Sequence, residues 1–463
     1  MNPRVFREYD IRGVADRDLD DAFTRDLGRA IGTHLVRSGG AKKVTLGRDC
    51  RVTSPRLHEA LLAGLLETGL DVIDVGIVST PLLYFSVFHF DGSNVGGGVQ
   101  ITGSHNPPED NGFKVLRGKT TIHGAEIQAL RRLVETRDFV RADRPGTVEE
   151  RDIQQAYLDH AVDHLRLGPR RFKVVVDAGN GTGGVTCVPL LRRLGFDVTP
   201  LYCEMDGLFP NHHPDPTVEA NVEALRRKVA EVGAEVGIAL DGDADRIGVV
   251  DARGRIVWGD QLMILFARAI LAEQPGATFV SEVKCSQALY DEIARAGGRA
   301  IMWKVGHSLI KAKMKEEGAV LAGEMSGHIF FAHRYLGYDD AIYSAARLVE
   351  LLSRGDRTLA EHVDTLPVLH NTPEIRLDCP DDIKFEVVRR AAARFAERHE
   401  VIAVDGARIE FAQDEGGGWG LVRASNTGPV LVMRFEAATP ARRDEIRAYV
   451  EDGLRAIRKE LGQ

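Results

Sequence analysis

The sequence of 463 residues predicts an α/β protein, with three related α/β domains built on mixed sheets and a smaller α+β domain at the C-terminus. Strand-like apolar runs alternate with helical patterns through most of the chain, which is the order expected of α/β layers. One strand–helix–strand pattern begins again at two later points. The C-terminal part instead shows strands separated by glycine-rich turns, with one closing amphipathic helix.

The first repeat shows the pattern most clearly. "KKVTLGRDCR" (42–51) predicts a strand entering a polar loop, and "SPRLHEALLAGLLETG" (54–69) predicts a helix that ends at a glycine. "LDVIDVGIVSTP" (70–81) predicts the next strand. The pattern restarts in "FKVVVDAGNGTGGVTCVPLLRRLGFDVTPLYCE" (172–204) and in "GATFVSEVKCSQALYDEIARAGGRAIMWKV" (276–305).

The restarts of this pattern place domain boundaries near residues 146, 252 and 367. The change to an α+β pattern marks the last of them. The predicted domains are therefore 1–145, 146–252, 253–366 and 367–463.

Composition excludes several classes of partner. The formal net charge of -8 argues against a general affinity for nucleic acid or for an anionic membrane. No stretch offers the roughly 20 apolar residues that a spanning helix needs, and the first residues lack the apolar core of a signal peptide. The five cysteines are scattered, which is typical of reduced thiols. We therefore expect a soluble, cytoplasmic enzyme.

A serine lies on a loop that the sequence keeps irregular, in "VQITGSHNPPEDNGFKV" (99–115). Pro107 disfavours helix directly after the serine, and Asn111 with Gly112 predicts a tight turn. The chain would then return with Lys114 close to Ser104. We call residues 102–110 the serine loop; a turn serine that bonds only backbone amides is the alternative interpretation.

A hydrolase-type nucleophile does not fit this loop. A nucleophile elbow needs glycine two residues before and two after the serine, where this chain has Thr102 and Asn106. His105 also cannot be assumed to be the base of Ser104, because adjacent side chains usually diverge.

Three aspartates alternate with small residues between two apolar strands in "VGIALDGDADRIGVV" (236–250). Asp241, Asp243 and Asp245 offer hard oxygen ligands, which suit Mg²⁺, Mn²⁺ or Ca²⁺. The loop does not match an EF-hand, which requires a glycine at the sixth position. A solvated acidic turn is disfavoured because the three carboxylates would repel one another without a counter-ion. We call residues 241–246 the aspartate loop.

Two further motifs complete a resemblance. Together with "GEMSGH" (323–328, the sugar loop) and "RASNTGP" (423–429, the phosphate loop), the two loops resemble the α-D-phosphohexomutase family. The similarity extends from about Phe6 to Glu436 and favours the bacterial phosphomannomutase/phosphoglucomutase branch.

The resemblance implies four domains around a central cleft. It implies an isomerase that moves a phosphate between O1 and O6 of mannose or glucose through a 1,6-bisphosphate intermediate. It also implies sugar phosphates as the small-molecule partners, Mg²⁺ as the cofactor and catalytic amounts of hexose 1,6-bisphosphate as activator. No motif demands another protein chain, so we expect a monomer.

The resemblance also implies residue roles. Ser104 would be the phosphoserine and would bind Mg²⁺ together with the three aspartates of the aspartate loop. Arg12, Lys114 and Arg246 would surround the transferring phosphate, and Lys114 and His328 are the candidates for proton transfer. The remaining residues would bind substrate: Tyr9, His307, Glu324 and Ser326 the sugar, and Arg423, Ser425, Asn426 and Thr427 the remote phosphate.

Two positions depart from the family pattern. Ala244 stands where glycine is usual, which is unfavourable if its φ is positive. Gly428 stands where the family often has a larger residue, which could loosen the phosphate loop.

Three alternatives stay open at this point. Gly179, Gly181 and Gly184 match G-x-G-x-x-G after a strand, and Glu204 lies about 20 residues further on, as in an NAD-dependent dehydrogenase. A phosphoglucosamine mutase would use the same chemistry on another sugar, although Met325 resembles the mannose/glucose branch more. A non-catalytic sugar-phosphate binding protein would not need the serine.

Overall fold

The structure is a computed structural model that describes residues 2–425 and 428–462. Asn426 and Thr427, which the sequence analysis assigns to the phosphate loop, lie outside the described residues. The described chain forms four sheets in sequence order, each in its own domain.

The first domain has a mixed sheet. Its elements are β1 (Ile11–Val14), α1 (Ala15–Asp18), α2 (Asp21–Gly39), β2 (Lys43–Arg48), α3 (Ser54–Glu67), β3 (Asp71–Ile77), α4 (Thr80–His89), β4 (Val95–Ile101), β5 (Asp110–Arg117), β6 (Thr120–Thr121), α5 (Ala125–Thr136) and β7 (Val148–Glu150). The strand order is β1-β5-β4-β2-β3-β7, with β6 beside β5. β2 is parallel to β3 and β4, whereas β5 is antiparallel to β4.

The second domain has a five-stranded sheet in the order β12-β11-β10-β8-β9. Its elements are α6 (Gln154–Asp163), β8 (Lys173–Asp177), α7 (Gly184–Arg193), β9 (Asp197–Leu201), α8 (Glu223–Val232), β10 (Val236–Leu240), β11 (Ile247–Asp251) and β12 (Ile256–Val257). β8 is parallel to β9 and β10, and β11 is antiparallel to β10.

The third domain has a four-stranded sheet in the order β14-β13-β15-β16. Its elements are α9 (Gly259–Glu273), β13 (Thr278–Glu282), α10 (Gln287–Arg295), β14 (Arg299–Trp303), α11 (His307–Glu317), β15 (Leu321–Gly323), β16 (Ile329–Phe331), α12 (Ala341–Ser353) and α13 (Leu359–Val363). β13 is parallel to β14 and β15, and β16 is antiparallel to β15.

The fourth domain has an antiparallel sheet in the order β17-β22-β21-β20-β19, with β18 beside β22. Its elements are β17 (His370–Asn371), β18 (Ile375–Asp378), α14 (Lys384–Phe395), β19 (Glu400–Ile402), β20 (Ala407–Glu410), β21 (Trp419–Ala424), β22 (Val430–Ala437) and α15 (Pro440–Glu460). α14 and α15 pack against this sheet, so the domain is α+β as predicted.

The first three sheets share one strand order, which confirms that the three units are related. The corresponding strands are β5-β4-β2-β3, β11-β10-β8-β9 and β16-β15-β13-β14. In each, a strand parallel to its neighbour is followed by a loop and an antiparallel strand. These loops are the serine loop, the aspartate loop and the sugar loop. Each of them therefore begins at the carboxyl end of a parallel strand, where open α/β sheets bind ligands.

Local chemistry explains where several elements begin and end. α2 begins after Asp20, whose carboxylate accepts the Phe23 N–H, and it ends at Gly40 in the left-handed conformation. The sequence predicted one strand over the run 70–81, and this prediction is wrong at its C-terminal end. β3 ends at Ile77 and α4 begins at Thr80, because Pro81 suits the first turn of a helix.

The domains share buried surface. The largest apolar cluster extends through the second and third sheets and includes residues of α4 from the first domain. A smaller cluster joins Val283 of the third domain to Trp419 and Leu421 of the fourth. Among the described helices, none has the length and apolar character needed to cross a membrane.

Candidate active site

Ser104 lies in the serine loop with a left-handed backbone (φ 49°) and is almost fully buried. Its N–H donates to Thr102 Oγ1 at 2.8 Å, and its Oγ donates to Asp241 Oδ2 at 2.8 Å. The structure therefore brings the serine loop of the first domain directly onto the aspartate loop of the second. His105 Nδ1 lies 3.2 Å from Ser104 Oγ, closer than neighbouring side chains usually approach, because the backbone turns at the serine.

The three aspartates of the aspartate loop are fully buried and point at one position. Ligand oxygens of Asp241, Asp243 and Asp245 lie within 4.8 Å of one another. Asp243 Oδ1 is buried and has no hydrogen-bond partner among the described residues. Buried carboxylate oxygens without donors are unfavourable unless a cation compensates them. The donor set of hard oxygens fits a divalent cation such as Mg²⁺.

Ala244, within the aspartate loop, has a φ of 58°. The structure therefore shows the unfavourable case that the sequence left open, since a left-handed backbone costs a residue with a Cβ about 1 kcal/mol. The turn is what directs Asp243 and Asp245 to the same side.

Lys114 lies on β5, and its Nζ contacts two of the three aspartates. It forms ion pairs with Asp243 Oδ2 at 2.7 Å and with Asp245 Oδ2. Burial alone would lower the pKa of Lys114, but the surrounding carboxylates outweigh it and raise that pKa. The same Lys114 charge, with that of His328, lowers the pKa of Asp245 against the effect of burial.

His328 joins the sugar loop to the aspartate loop. Its Nδ1 lies 2.5 Å from Glu324 Oε2, and its Nε2 lies 3.2 Å from Asp245 Oδ1. Burial opposes a charged imidazole, but the two carboxylates outweigh it and raise the pKa of His328 to about 9. Arg246 and His328 also form a backbone bridge, so the two loops are fixed to each other. Ser326 Oγ lies 3.5 Å from Glu324 Oε2.

Three further predicted residues border the same region. Tyr9 donates its hydroxyl to the Val305 carbonyl at 2.7 Å, and the His307 ring lies between those of Tyr9 and His328, with centroids 6.0 and 5.6 Å away. Arg12 donates to Asn106 Oδ1 at 2.7 Å and therefore lies against the serine loop. The contacts of Tyr9 connect the first and third domains.

The phosphate loop belongs to the fourth domain. Arg423, at the end of β21, is buried and donates to Asp405 Oδ2 at 3.2 Å. The same oxygen accepts the Val305 N–H at 3.0 Å, so Asp405 fixes Arg423 to the third domain. Lys384 Nζ donates to the carbonyls of Ser425 and Gly428 at 2.7 and 3.1 Å.

The sequence analysis did not identify several charged residues around these loops, most of which are buried. Arg51, Asp49, Lys384 and Asp405 contact loop backbone or site side chains, and Lys284 is paired with Glu374 at 3.2 Å. A charged residue directly after a predicted strand, as in "GRDCR", is the signal that could have indicated the first two.

The glycines that match a dinucleotide motif are covered by protein. A Cβ added to Gly181 would lie 2.5 Å from the Gly242 carbonyl, and one on Gly184 would lie 2.7 Å from Cys203. Gly179 faces Pro214 in the same way, at 3.0 Å. These glycines allow close packing within the second domain, with Gly181 against the aspartate loop, and the contacts leave no approach for a pyrophosphate.

Comparison with known proteins identifies the family. Models of phosphoglucomutase/phosphomannomutase domains match in order: alpha/beta/alpha domain I at residues 3–141, domain II at 155–254, domain III at 258–369 and the C-terminal domain at 374–453. The chain belongs to the phosphoglucomutase/phosphomannomutase family. It is accordingly a phosphohexomutase, an isomerase of carbohydrate metabolism.

Similar proteins cover the chain almost completely. A phosphomannomutase/phosphoglucomutase of Pseudomonas putida is 45% identical over 99% of this chain and 96% of its own length. A phosphoglucomutase of Neisseria gonorrhoeae is 46% identical over 94% of each chain. The crystal structure of a phosphoglucomutase/phosphomannomutase family protein from Burkholderia thailandensis has a TM-score of 0.91 at 40% identity and covers 98% of both chains. These findings confirm the resemblance, the fold class and the mutase activity, and they contradict the dehydrogenase alternative.

Proposed function

We propose that this phosphohexomutase interconverts the 1- and 6-phosphates of mannose and glucose through a phosphoserine at Ser104. The observation that supports this most directly is the 2.8 Å contact between Ser104 Oγ and Asp241, inside a cluster of three buried aspartates. An isolated turn serine would not need such a partner. Loops from three domains converge at this point, as a reaction on a small substrate requires.

The residues that would hold Mg²⁺ are Asp241, Asp243, Asp245 and Ser104. When bound, the ion supplies positive charge that stabilises the oxygens of the transferring phosphate.

The phosphate transfer consumes no further reactant. A hydroxyl oxygen of the hexose monophosphate bonds to phosphorus, the bond between phosphorus and Ser104 Oγ breaks, and the hydroxyl proton ends on the serine oxygen. The bisphosphate then presents its other phosphate to Ser104, and the reverse transfer regenerates phosphoserine. Catalytic amounts of hexose 1,6-bisphosphate would restore enzyme that had lost its phosphate.

The surrounding cations suit different parts of this step. Arg12 lies against the serine loop and Arg246 is the last residue of the aspartate loop, where both would bind phosphate oxygens. Lys114 is held protonated by two carboxylates, which supports a role for its charge. His328 is oriented by Glu324 and is the second candidate for proton transfer.

Substrate binding would divide between two regions. Glu324, Ser326, Tyr9 and His307 border the space between the first and third domains, where sugar hydroxyls would bond. Arg423 and Ser425, with Asn426 and Thr427, would hold the remote phosphate from the fourth domain; the last two lie outside the described residues.

The choice of sugar rests on relatives and on one side chain. The similar proteins are named phosphomannomutase/phosphoglucomutase or phosphoglucomutase, and Met325 occupies the sugar loop. A phosphoglucosamine mutase is the alternative. We also expect the enzyme to act as a monomer on free sugar phosphates.

³¹P NMR of the protein with Mg²⁺ and a trace of glucose 1,6-bisphosphate tests the proposal. The 1-phosphates of mannose, glucose and glucosamine are supplied separately. We expect 6-phosphate signals from mannose and glucose, little from glucosamine, and none with Ser104→Ala or after chelation of the metal. Conversion of glucosamine alone would contradict the choice of sugar, and full activity of Ser104→Ala would contradict the phosphoserine.

A further inference from the structure

Arg51 is a fully buried arginine that none of the roles above uses. It lies just after β2, in the first domain. Its Nη2 donates to the carbonyls of Ser104 and Asn106, both at 2.7 Å. Its Nη1 donates to the Pro107 carbonyl and to the Asp110 carbonyl, the latter at 3.0 Å. One guanidinium therefore holds four carbonyls of the serine loop.

The fifth donor of the guanidinium is also satisfied. Arg51 Nε donates to Asp49 Oδ2 at 3.1 Å. A guanidinium has five N–H groups in one plane, and here all five have acceptors. Asp49 is buried as well and accepts the Gly103 N–H at 3.2 Å and the Ser54 hydroxyl at 2.5 Å. The Asp49–Arg51 pair thus binds the backbone on both sides of the Gly103–Ser104 peptide bond.

The loop needs this support because its backbone is strained at the serine. Ser104 has a φ of 49°, a left-handed conformation that is unfavourable for a residue with a Cβ. The surrounding packing is close: a Cβ on Gly103 would lie 2.5 Å from Arg51 Cζ, and one on Gly242 would lie 2.4 Å from the Ser104 carbonyl oxygen. That carbonyl is enclosed between Arg51 on one side and the aspartate loop on the other.

The second domain also contacts this guanidinium. The Phe209 ring lies 5.0 Å from Arg51 Cζ, and Phe209 itself has a left-handed backbone. A Cβ on Gly207 would lie 2.4 Å from the Cys50 carbonyl, so this segment packs directly over Arg51. The ring shields the charge from water, which strengthens its hydrogen bonds to the carbonyls.

We propose that Arg51 is a positioning residue for phosphate transfer: with Asp49, it holds the serine loop in the conformation that places Ser104 Oγ against the aspartate loop. This inference rests on the proposed role of Ser104. Arg51 donates to backbone carbonyls and to Asp49, and none of its contacts reaches Ser104 Oγ.

Lysine cannot replace Arg51 in this role. An ammonium group carries three donors on one nitrogen, whereas the loop presents its acceptors along the edges of a planar fork. A lysine, with three donors, would leave at least two of the five acceptors without a donor. The loop would shift to find other partners, and a displacement of about 1 Å at a reacting atom lowers the rate about 100-fold.

The test compares Arg51→Lys and Arg51→Ala with the unchanged protein in the mutase assay with Mg²⁺. We expect kcat to fall about 100-fold in both variants while KM for mannose 1-phosphate stays within about threefold, because the sugar-binding residues lie on other loops. Guanidinium chloride at millimolar concentration should raise kcat of Arg51→Ala about tenfold, since it restores the planar donor set.

Two controls separate this positioning role from stability and from the proposed function. Arg347→Lys changes a buried arginine on α12, which donates to the His333 carbonyl, and should lower the melting temperature while kcat stays unchanged. Ser104→Ala, in the same assay, reports on the proposed function alone. An active Ser104→Ala overturns the phosphoserine. An inactive Ser104→Ala beside a folded Arg51→Lys with normal kcat overturns only the role of Arg51.

A further variant covers the case in which the Arg51 variants do not fold. Asp49→Asn keeps the size of the side chain and weakens its hold on Gly103 and Arg51, so kcat should fall about tenfold. Normal kcat in Asp49→Asn, or no response of folded Arg51→Ala to guanidinium, would overturn the proposal.

Discussion

Gly242 illustrates how a single residue in the aspartate loop can control the serine. A Cβ at this position would lie 2.4 Å from the Ser104 carbonyl oxygen, which Arg51 already holds from the other side. Because Arg51 holds the Ser104 carbonyl, an added Cβ at Gly242 would force the aspartate loop and the serine loop to shift relative to each other.

We predict that Gly242→Ala lowers kcat about 100-fold and destabilises the fold by about 1–3 kcal/mol. Steady-state kinetics and thermal unfolding would measure the two effects. Gly355→Ala is the matched control, because a Cβ there meets nothing within 4 Å. Normal kcat in Gly242→Ala would show that the two loops can separate without loss of function.

His333 provides a pH-dependent contribution to stability. Its Nδ1 accepts a hydrogen bond from Arg347 at 3.0 Å, so the ring is neutral in the fold. Burial, reinforced by Arg347 and Arg334, lowers the pKa of His333 to about 4. The unfolded chain, with a pKa of about 6.5, binds a proton over a range in which the folded chain does not.

The stabilising contribution of neutral His333 is therefore complete above about pH 6.5 and is lost as the pH falls towards 4. Between about pH 7 and about pH 5 we expect the free energy of unfolding to fall by about 1 kcal/mol more in the unchanged protein than in His333→Gln. Urea unfolding at the two pH values measures this difference. Equal pH dependence of the two proteins would contradict the prediction.

At the scale of elements, the site loops recur at one position in the fold. The serine, aspartate and sugar loops all join a parallel strand to the antiparallel strand beside it. The phosphate loop differs, since it joins the antiparallel strands β21 and β22. A buried cation holds the backbone of two of these loops: Arg51 the serine loop, and Lys384 the phosphate loop.

Lys384 gives a prediction for the phosphate loop. It lies at the start of α14 and donates to the carbonyls of Ser425 and Gly428. Lys384→Met should raise KM for hexose phosphates about tenfold, equivalent to about 1.4 kcal/mol of binding, with a smaller change in kcat.

Initial-rate kinetics measures this effect, and Asp381→Asn is the control. Asp381 pairs with Lys384 at 2.7 Å but is mostly exposed, so its loss should leave KM within about twofold. An unchanged KM in folded Lys384→Met would mean that the loop keeps its shape without this anchor.

The elements show what could be predicted from the sequence. Periodicity predicted the strand–helix–strand repeats, and the motifs predicted the loops that carry Ser104 and the three aspartates. These features are local, since the residues that define them are neighbours in the chain. The contact of Ser104 with Asp241 depends on how two domains pack and could not be read from either motif alone.

The residues that hold the loops were harder to predict. Arg51 lies 53 positions before the serine it supports, and its contacts are to backbone carbonyls, which leave no mark on the sequence of the loop. Likewise Asp405 joins Arg423 to the Val305 N–H across a domain boundary. Such long-range hydrogen bonds depend on tertiary packing, which periodicity does not report.

At the scale of the whole molecule, the backbone of one residue, Val305, joins three domains. The Val305 carbonyl of the third domain accepts from Tyr9 of the first, and its N–H donates to Asp405 of the fourth. The fourth domain is further joined to the third by Arg408, which is fully buried and donates to the carbonyls of Val283 and Cys285, both at 2.9 Å.

We predict that Arg408→Met loosens the fourth domain without unfolding the other three. Loss of the charge leaves two carbonyls unsatisfied and removes the cation–π contact with Trp419, so backbone amides of β20 to β22 should exchange hydrogen faster. Hydrogen-exchange mass spectrometry measures this directly. Arg390→Met, on the outer face of α14, is the control that should leave exchange unchanged. If β20 to β22 exchange no faster in Arg408→Met than in Arg390→Met, the prediction is contradicted.

The way Arg51 holds the serine loop has a consequence for protein engineering. Since the guanidinium bonds only backbone carbonyls in that loop, part of what determines the shape of the segment lies outside it, at positions 49 and 51. A library that randomises the outward side chains of the loop should retain its geometry, whereas a graft of the loop into another scaffold should fail unless Asp49 and Arg51 are transplanted with it.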